Sequence, residues 1–180
     1  MKYLLLIITA YFFIGCSAKE IPANLDELNK QYGCEVGDDA PLFKTELRDN
    51  SLFDFADTKG KVVMLDFWGA WCSICGMTRP DMKQLINDYS NNIDFEVLGI
   101  SINDRPEKWI EYIEEHNLNW KHTQNSTKLS KDPQTLYCIQ GVPAVILIDK
   151  HGKIRYRLNP INHDKLKEAI AELVNEEVFN

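Results

Sequence analysis

The order of apolar and polar positions along the chain predicts strands that alternate with helices. A nearly unbroken β-branched and aromatic run, Lys61 to Trp68, is typical of a strand covered on both faces, and Phe95 to Asn103 repeats it. Apolar residues recur at helical spacing after each of these runs, which predicts two helices. The residues concerned are Met82, Leu85, Ile86 and Tyr89 in the first helix, and Trp109, Ile110 and Ile113 in the second.

The flanking segments complete an α/β pattern. Two short apolar clusters around Asp49-Asn50 predict an N-terminal hairpin, and "AVILID" and "KIRYRL" predict a second hairpin with Gly152 in its turn. A final helix has the apolar stripe Leu166, Ala169, Ile170, Leu173 and Val174. The order hairpin, β, α, β, α, β, β, α predicts a central mixed sheet, partly parallel, flanked by helices on both faces.

The N-terminus is typical of an export signal. One lysine precedes an apolar run from Tyr3 to Ile14, which is shorter than the roughly 20 residues that a membrane span needs. The run ends in "FIGC", which is similar to a bacterial lipobox and predicts lipidation of Cys16, although Phe13 is not the usual aliphatic residue. The alternative is an ordinary signal cleaved after Ala18.

The chain therefore divides into three regions: a lipoprotein-type signal at 1–15, a polar tether at 16–33 and one globular domain at 34–180. Its 20 basic and 27 acidic side chains give a net charge of −7, and no Lys/Arg run is long enough to follow a phosphate backbone. Nucleic acid is therefore excluded as a partner. An acidic surface also gains nothing from anionic lipid, so membrane attachment would depend on acyl chains.

The stretch "WGAWCSICGMTRP" places Cys72 and Cys75 three residues apart where a strand gives way to a helix. A thiolate at a helix N-terminus is stabilised by the unpaired backbone N–H groups and by the helix dipole. Cys72 is therefore the predicted nucleophile. Cys75, one turn into the helix and less exposed, is the predicted resolving thiol.

Two other interpretations of the pair remain open at this point. Zinc takes four ligands, and none of the four histidines stands at a ligand spacing from the cysteines, so we predict no metal site. A structural disulfide usually closes a longer loop, because short closures remove little chain entropy. Redox chemistry is favoured over both, and it needs no cofactor beyond the two thiols.

Asp66 is a carboxylate inside an otherwise apolar strand. It is costly to ionise there, so we predict that it exchanges a proton with Cys75 while a disulfide is being resolved. We therefore expect Asp66→Asn to slow disulfide resolution more than it weakens the fold, because an isolated buried charge is itself costly to stability. The alternative is a solvated, inert residue at a frayed strand end.

These motifs resemble a known family. "VVMLDFWGAWCSIC" followed by Pro80 looks like the thioredoxin signature, and "APLF" with "KGKVVMLDFW" looks like the TlpA/ResA-like branch of membrane-tethered thiol-disulfide oxidoreductases. "GVPAVILIDKHGKI" resembles the same family's cis-proline loop and final hairpin. The resemblance runs from about Ala40 to the C-terminus and implies a thioredoxin-like fold with an N-terminal β-hairpin.

The resemblance also implies roles for individual residues. Cys72, Cys75 and Asp66 match the catalytic residues, and Pro143 matches the cis-proline. The implied substrate-binding residues are Trp71, Val142 and the dipeptide Ser73-Ile74, and the isoleucine departs from the family's usual proline. Of the other cysteines, Cys138 lies where the family often has glycine; it and Cys34 are either free, small buried residues or a disulfide pair.

The expected function is an extracytoplasmic thiol-disulfide oxidoreductase that reduces disulfides in secreted or periplasmic proteins, with cytochrome c precursors among the candidate substrates. The expected protein is a monomer, lipid-anchored at the periplasmic face of a bacterial membrane and supplied by a membrane-embedded electron donor; the alternative is a soluble periplasmic or secreted protein. Two rival functions remain: a thiol peroxidase-like enzyme, and a lipoprotein that binds copper or zinc through the cysteine pair.

Overall fold

A computed structural model describes residues 32–125 and 131–177. The predicted signal, the lipidation site Cys16 and nearly all of the tether lie outside these residues. The elements, in chain order, are β1 (Lys44–Glu46), β2 (Leu52–Asp54), a 3₁₀ helix (Phe55–Thr58), β3 (Val62–Trp68), α1 (Ser73–Asp88), β4 (Phe95–Ser101), α2 (Pro106–Glu115), β5 (Lys121–Gln124), α3 (Pro133–Leu136), β6 (Ala144–Ile148), β7 (Ile154–Leu158) and α4 (His163–Asn175).

The main sheet has five strands in the order β5-β4-β3-β6-β7. The strands β3, β4 and β5 are parallel, whereas β6 is antiparallel to both β3 and β7. All seven residues of β3 are buried, as expected for a central strand covered on both faces. The predicted mixed α/β sheet with an N-terminal hairpin is confirmed, and the hairpin β1-β2 forms its own two-stranded sheet.

The two faces of the sheet are covered differently. Val62 and Met64 of β3 pack with apolar residues of α1 and α4. The alternate residues Val63, Leu65 and Phe67 pack with aromatic residues of the hairpin region and with Tyr137. The helices α1 and α4 therefore share one face, and in the described part of the chain the 3₁₀ helix and the one-turn α3 lie with the hairpin on the other.

A disulfide bond joins Cys34 to Cys138, which are 104 residues apart in the sequence. This finding settles the open question about the two cysteines, and the interpretation of Cys138 as a small buried residue is wrong because the residue is exposed. Its backbone φ of 53° lies in the left-handed region, which favours glycine. Arg157 stabilises the region around this disulfide, because its guanidinium donates to the backbone carbonyls of Cys34, Tyr137 and Cys138.

Within residues 32–125 and 131–177, no helix has both the length and the apolar character needed to cross a membrane.

Candidate active site

Cys72 caps the N-terminus of α1, four residues after the end of β3. Its Sγ accepts a hydrogen bond from the backbone N–H of Cys75 at 3.1 Å. The structure thus places this sulfur at the strand-to-helix junction that the sequence indicates, beside the unpaired N–H groups of a helix start. Negative charge that develops on this sulfur is stabilised there by an N–H donor and by the helix dipole.

The two cysteines of the motif are joined as a disulfide, and they differ in accessibility. Cys72 is 8% exposed and Cys75 only 1%. An incoming thiol or disulfide therefore meets the sulfur of Cys72 before it meets the sulfur of Cys75. Cys75 is placed to attack only the sulfur of its neighbour.

The loop before β6 lies against the Sγ atom of Cys72. The Val142–Pro143 peptide bond is cis, as the resemblance implies. The carbonyl oxygen of Val142 lies 3.8 Å from Cys72 Sγ, so a chain that pairs with this backbone also meets the sulfur.

Exposed apolar side chains surround this point. Trp71 is 58% exposed, Ile74 46% and Met77 78%, and Ser73 is exposed as well. Large apolar side chains grouped at the surface are typical of a protein-binding site. The structure therefore brings the residues implied for substrate binding, Val142 included, around Cys72.

Polar groups after β4 hold the loop that carries Trp71. The Trp71 indole N–H donates to the carbonyl of Ile102 at 2.8 Å, and the Ala70 backbone N–H donates to Asp104 Oδ2 at 2.9 Å. Ser101 donates to the same carboxylate oxygen at 2.6 Å. Asp104 was not singled out in the sequence, because nothing in its local pattern shows that the ends of β3 and β4 meet.

Asp66 is buried, as predicted, but it is not isolated. Arg79 Nη1 donates to Asp66 Oδ2 at 2.8 Å, and both side chains are almost fully buried. Burial acts to lower the pKa of Arg79, but the charge and hydrogen bond of Asp66, with smaller contributions from Tyr112, together outweigh it and the pKa is raised. The premise that Asp66 is an isolated buried charge is therefore wrong, because Arg79 is its counter-charge and would be left unpaired if Asp66 were neutralised.

Sequence reasoning missed Arg79, although a signal was present. It lies one helical turn after Cys75 and one turn before Met82, so it falls on the apolar stripe of α1. A cation on such a stripe requires a buried partner. Asp66 is the carboxylate inside the adjacent apolar strand.

Among residues 32–125 and 131–177, no group of three or more His, Cys, Asp or Glu side chains is placed to hold a metal ion.

Comparison with known proteins agrees with this geometry. The AhpC/TSA family matches residues 36–157. ResA of Oceanobacillus iheyensis, a thiol-disulfide oxidoreductase, is 31% identical over 138 residues, which are 74% of this chain and 69% of that protein. The thiol:disulfide interchange protein HelX of Rhodobacter capsulatus is 25% identical over 144 residues, 77% of this chain and 70% of its own.

A solved structure extends the likeness to three dimensions. The thioredoxin domain of a thiol-disulfide oxidoreductase from Bacteroides vulgatus superimposes with a TM-score of 0.67 at 32% identity. The match covers 78% of this chain and 99% of that domain. The fold is therefore thioredoxin-like.

Proposed function

This chain belongs to the AhpC/TSA family, among its ResA-like thiol-disulfide oxidoreductases, and from that premise we propose that it reduces disulfide bonds in exported proteins. The observation that carries the proposal is that the two cysteines differ in position and exposure. Cys72 caps a helix beside an exposed apolar surface, and Cys75 is buried behind it. This arrangement supplies a nucleophile and a resolving thiol with separate tasks.

The reaction begins with the dithiol form. The Cys72 thiolate attacks a sulfur of the substrate disulfide, a mixed disulfide forms, and the first substrate sulfur leaves as a thiolate. Cys75 then loses its proton and attacks Cys72 Sγ, and the second substrate sulfur leaves. Two electrons pass to the substrate, and the enzyme is left with the Cys72–Cys75 disulfide seen in the structure.

The remaining site residues support these two steps. Asp66 accepts the proton of Cys75 as that thiol attacks and holds it only briefly, because a neutral Asp66 leaves Arg79 without its counter-charge. The backbone of Val142, held by Pro143, pairs with the substrate chain next to the reacting sulfur. Trp71 and the Ser73-Ile74 dipeptide form the surface on which the substrate docks.

The proposed setting is the periplasmic face of a bacterial membrane. The Cys34–Cys138 disulfide supports it, because structural disulfides persist in oxidising compartments. A membrane-embedded donor returns electrons to Cys72 and Cys75, and the protein acts as a monomer on secreted or periplasmic substrates, with cytochrome c precursors as one class.

The equilibrium potential of the Cys72/Cys75 pair tests the function. We expect a value nearer to about −270 mV than to about −120 mV, because a disulfide reductant must hold its electrons weakly. The measurement equilibrates the protein in glutathione buffers and follows the fluorescence of Trp68 and Trp71. A value near the oxidising end identifies an oxidant instead. Consumption of hydrogen peroxide, or stoichiometric metal without reductase activity, identifies one of the two rival functions.

We further propose that Cys16 becomes the lipid-modified first residue of the mature protein. The support is the "FIGC" motif at the end of the apolar run. Metabolic labelling with a fatty-acid analogue is expected to label the wild-type protein and not the Cys16→Ala variant. An unlabelled, water-soluble protein that begins after Ala18 would contradict the proposal.

A further inference from the structure

Buried polar atoms without partners are concentrated behind the redox pair. Among the described residues, seven buried side-chain nitrogen and oxygen atoms lack a partner in good hydrogen-bond geometry, and six of them belong to five neighbouring side chains. The five, called the polar cluster below, are Trp68, Arg79, Tyr112, Trp120 and His122. Most buried polar groups in proteins are paired, so such a concentration requires an explanation.

Contacts between the rings show that the polar cluster is continuous. The Trp68 ring lies 5.2 Å from that of Tyr112 and 5.7 Å from that of His122, centroid to centroid. The Trp120 and His122 rings are 5.0 Å apart. The guanidinium carbon of Arg79 lies 5.0 Å from the centre of the Trp68 ring.

A glycine makes room for the polar cluster in the sheet. Asp66, Gly99 and His122 are register partners on β3, β4 and β5, so they face the same side. A Cβ atom on Gly99 would lie 2.4 Å from His122 Nδ1 and 3.2 Å from Trp120 Nε1. The missing side chain at 99 therefore allows the His122 imidazole to lean over β4 towards Asp66.

One end of the polar cluster reaches the redox pair. A Cβ atom on Gly76, the residue after Cys75, would lie 3.6 Å from the Tyr112 hydroxyl. The same hydroxyl lies close enough to the Arg79 guanidinium to help raise its pKa, and Arg79 bonds to Asp66. The Tyr112 hydroxyl is thus near both the first turn of α1 and the buried ion pair.

The other end of the polar cluster reaches the surface. Trp120 and His122 line a cavity of about 550 Å³ together with Leu118, Lys121 and residues from the end of α1. This cavity lies at the β5 edge of the sheet. The apolar surface around Cys72 contributes none of its lining residues.

The chemistry of the unpaired atoms matches water. Burial, then the positive charges of Arg79 and Arg48, lower the pKa of His122 to about 3, so at neutral pH its ring has one N–H and one lone pair. The two indoles and Arg79 Nε can only donate. Donors therefore outnumber acceptors, and buried water supplies the missing lone pairs while bonding to about three polar atoms.

We propose that the polar cluster holds ordered water that carries the proton of Cys75 out to the cavity at the β5 edge. This proposal rests on the proposed function. When Cys75 attacks Cys72 Sγ, the bond to the substrate sulfur breaks and its electron pair leaves with the substrate. The proton of Cys75 passes to Asp66 and through the water to solvent, on a route that the docked substrate does not cover.

Tyr112 and His122 are positioning residues in this scheme, because they act through water. The titratable and charged groups that face the route come from every element around it. They are Asp66 on β3, Arg79 on α1, Tyr112 on α2 with His116 stacked on it, His122 on β5 and, around the cavity, Arg48 and Asp49 from the β1-β2 turn, Glu96 on β4 and Lys121 on β5.

The kinetic test uses a reagent that reports the two steps separately. Reduced protein reacts with 5,5′-dithiobis(2-nitrobenzoate), and one coloured thiolate leaves when Cys72 attacks and a second when Cys75 resolves the adduct. We expect Tyr112→Phe and His122→Phe to slow the second release about tenfold and to change its pH profile, with the first release unchanged. The control is Tyr156→Phe. Tyr156 lies on the edge strand β7, and its hydroxyl bonds to Glu172 of α4. This variant is expected to match the wild type in both releases.

The hydration itself is measured separately by NMR. Long-lived water is expected to give cross-peaks to the indole N–H protons of Trp68 and Trp120. Absent cross-peaks, an unchanged second release in both variants, or equal slowing of both releases would each overturn the proposal. Failure of the first release in the wild-type protein would instead count against the proposed function.

Discussion

Replacement of Cys75 by serine should convert the protein into a trap for its own substrates. Cys72 is the more exposed of the two sulfurs and would still attack, but the mixed disulfide would have no internal thiol to resolve it. Well-oriented intramolecular groups reach effective concentrations of about 10⁵ M or more, which external thiols at millimolar concentration cannot replace. We therefore expect Cys75→Ser to accumulate covalent adducts, visible as reductant-sensitive bands on a gel and identifiable by mass spectrometry.

The matched control is Cys72→Ser, which leaves only the buried thiol and should give few adducts. Both variants keep the Cys34–Cys138 disulfide, because these two cysteines are bonded to each other and contribute no free thiol to the adducts. Equal trapping by the two variants, or trapping by neither in the native compartment, would reject the assignment of nucleophile and resolving thiol.

The second large effect concerns stability. Arg79→Met should lower the free energy of unfolding by about 3–5 kcal/mol, because it leaves the Asp66 carboxylate buried without its partner. Asp66→Asn should lower the free energy of unfolding by a similar amount, because it leaves the Arg79 guanidinium buried without its partner. The measurement is denaturant unfolding of each variant in the disulfide-bonded form.

A double variant separates lost pairing from general damage. Asp66→Leu/Arg79→Met replaces both charges by apolar groups and should recover most of the lost stability. Lys108→Met is the control, because its pair with Glu111 is exposed and worth at most about 1 kcal/mol. A double variant that is less stable than both single variants would show that the pair is not the source of the effect.

The sequence predicts the parts of the fold whose pattern is local. The continuous apolar run of β3 and the helical spacing in α1, α2 and α4 each depend on residues near one another in the chain. The position of Cys72 is local in the same sense, because a strand and a helix meet within a few residues. The covered strand and the helix cap could therefore be predicted before any contact between elements was known.

The elements and contacts that were missed depend on distant residues. The strand β5 is largely polar, and it forms because β4 offers its edge and Thr123 shares a hydrogen bond with Thr45 at 2.6 Å. The polar cluster arises only when strand register brings His122 beside Gly99. No spacing rule within one segment reports such contacts, which is why Asp66 was predicted without its partner Arg79.

The disulfide between Cys34 and Cys138 sets a selectivity problem for whatever reduces this protein. A closed loop of about 100 residues restricts the unfolded chain enough to stabilise the fold by about 4–5 kcal/mol. Reduction of this disulfide would therefore destabilise the protein. A donor of electrons must therefore open one disulfide and spare another on the same molecule. The exposed side chains of Trp71 and Ile74 give such a donor a binding surface next to Cys72. Recognition of this surface, and not reducing power alone, therefore decides which disulfide is reduced.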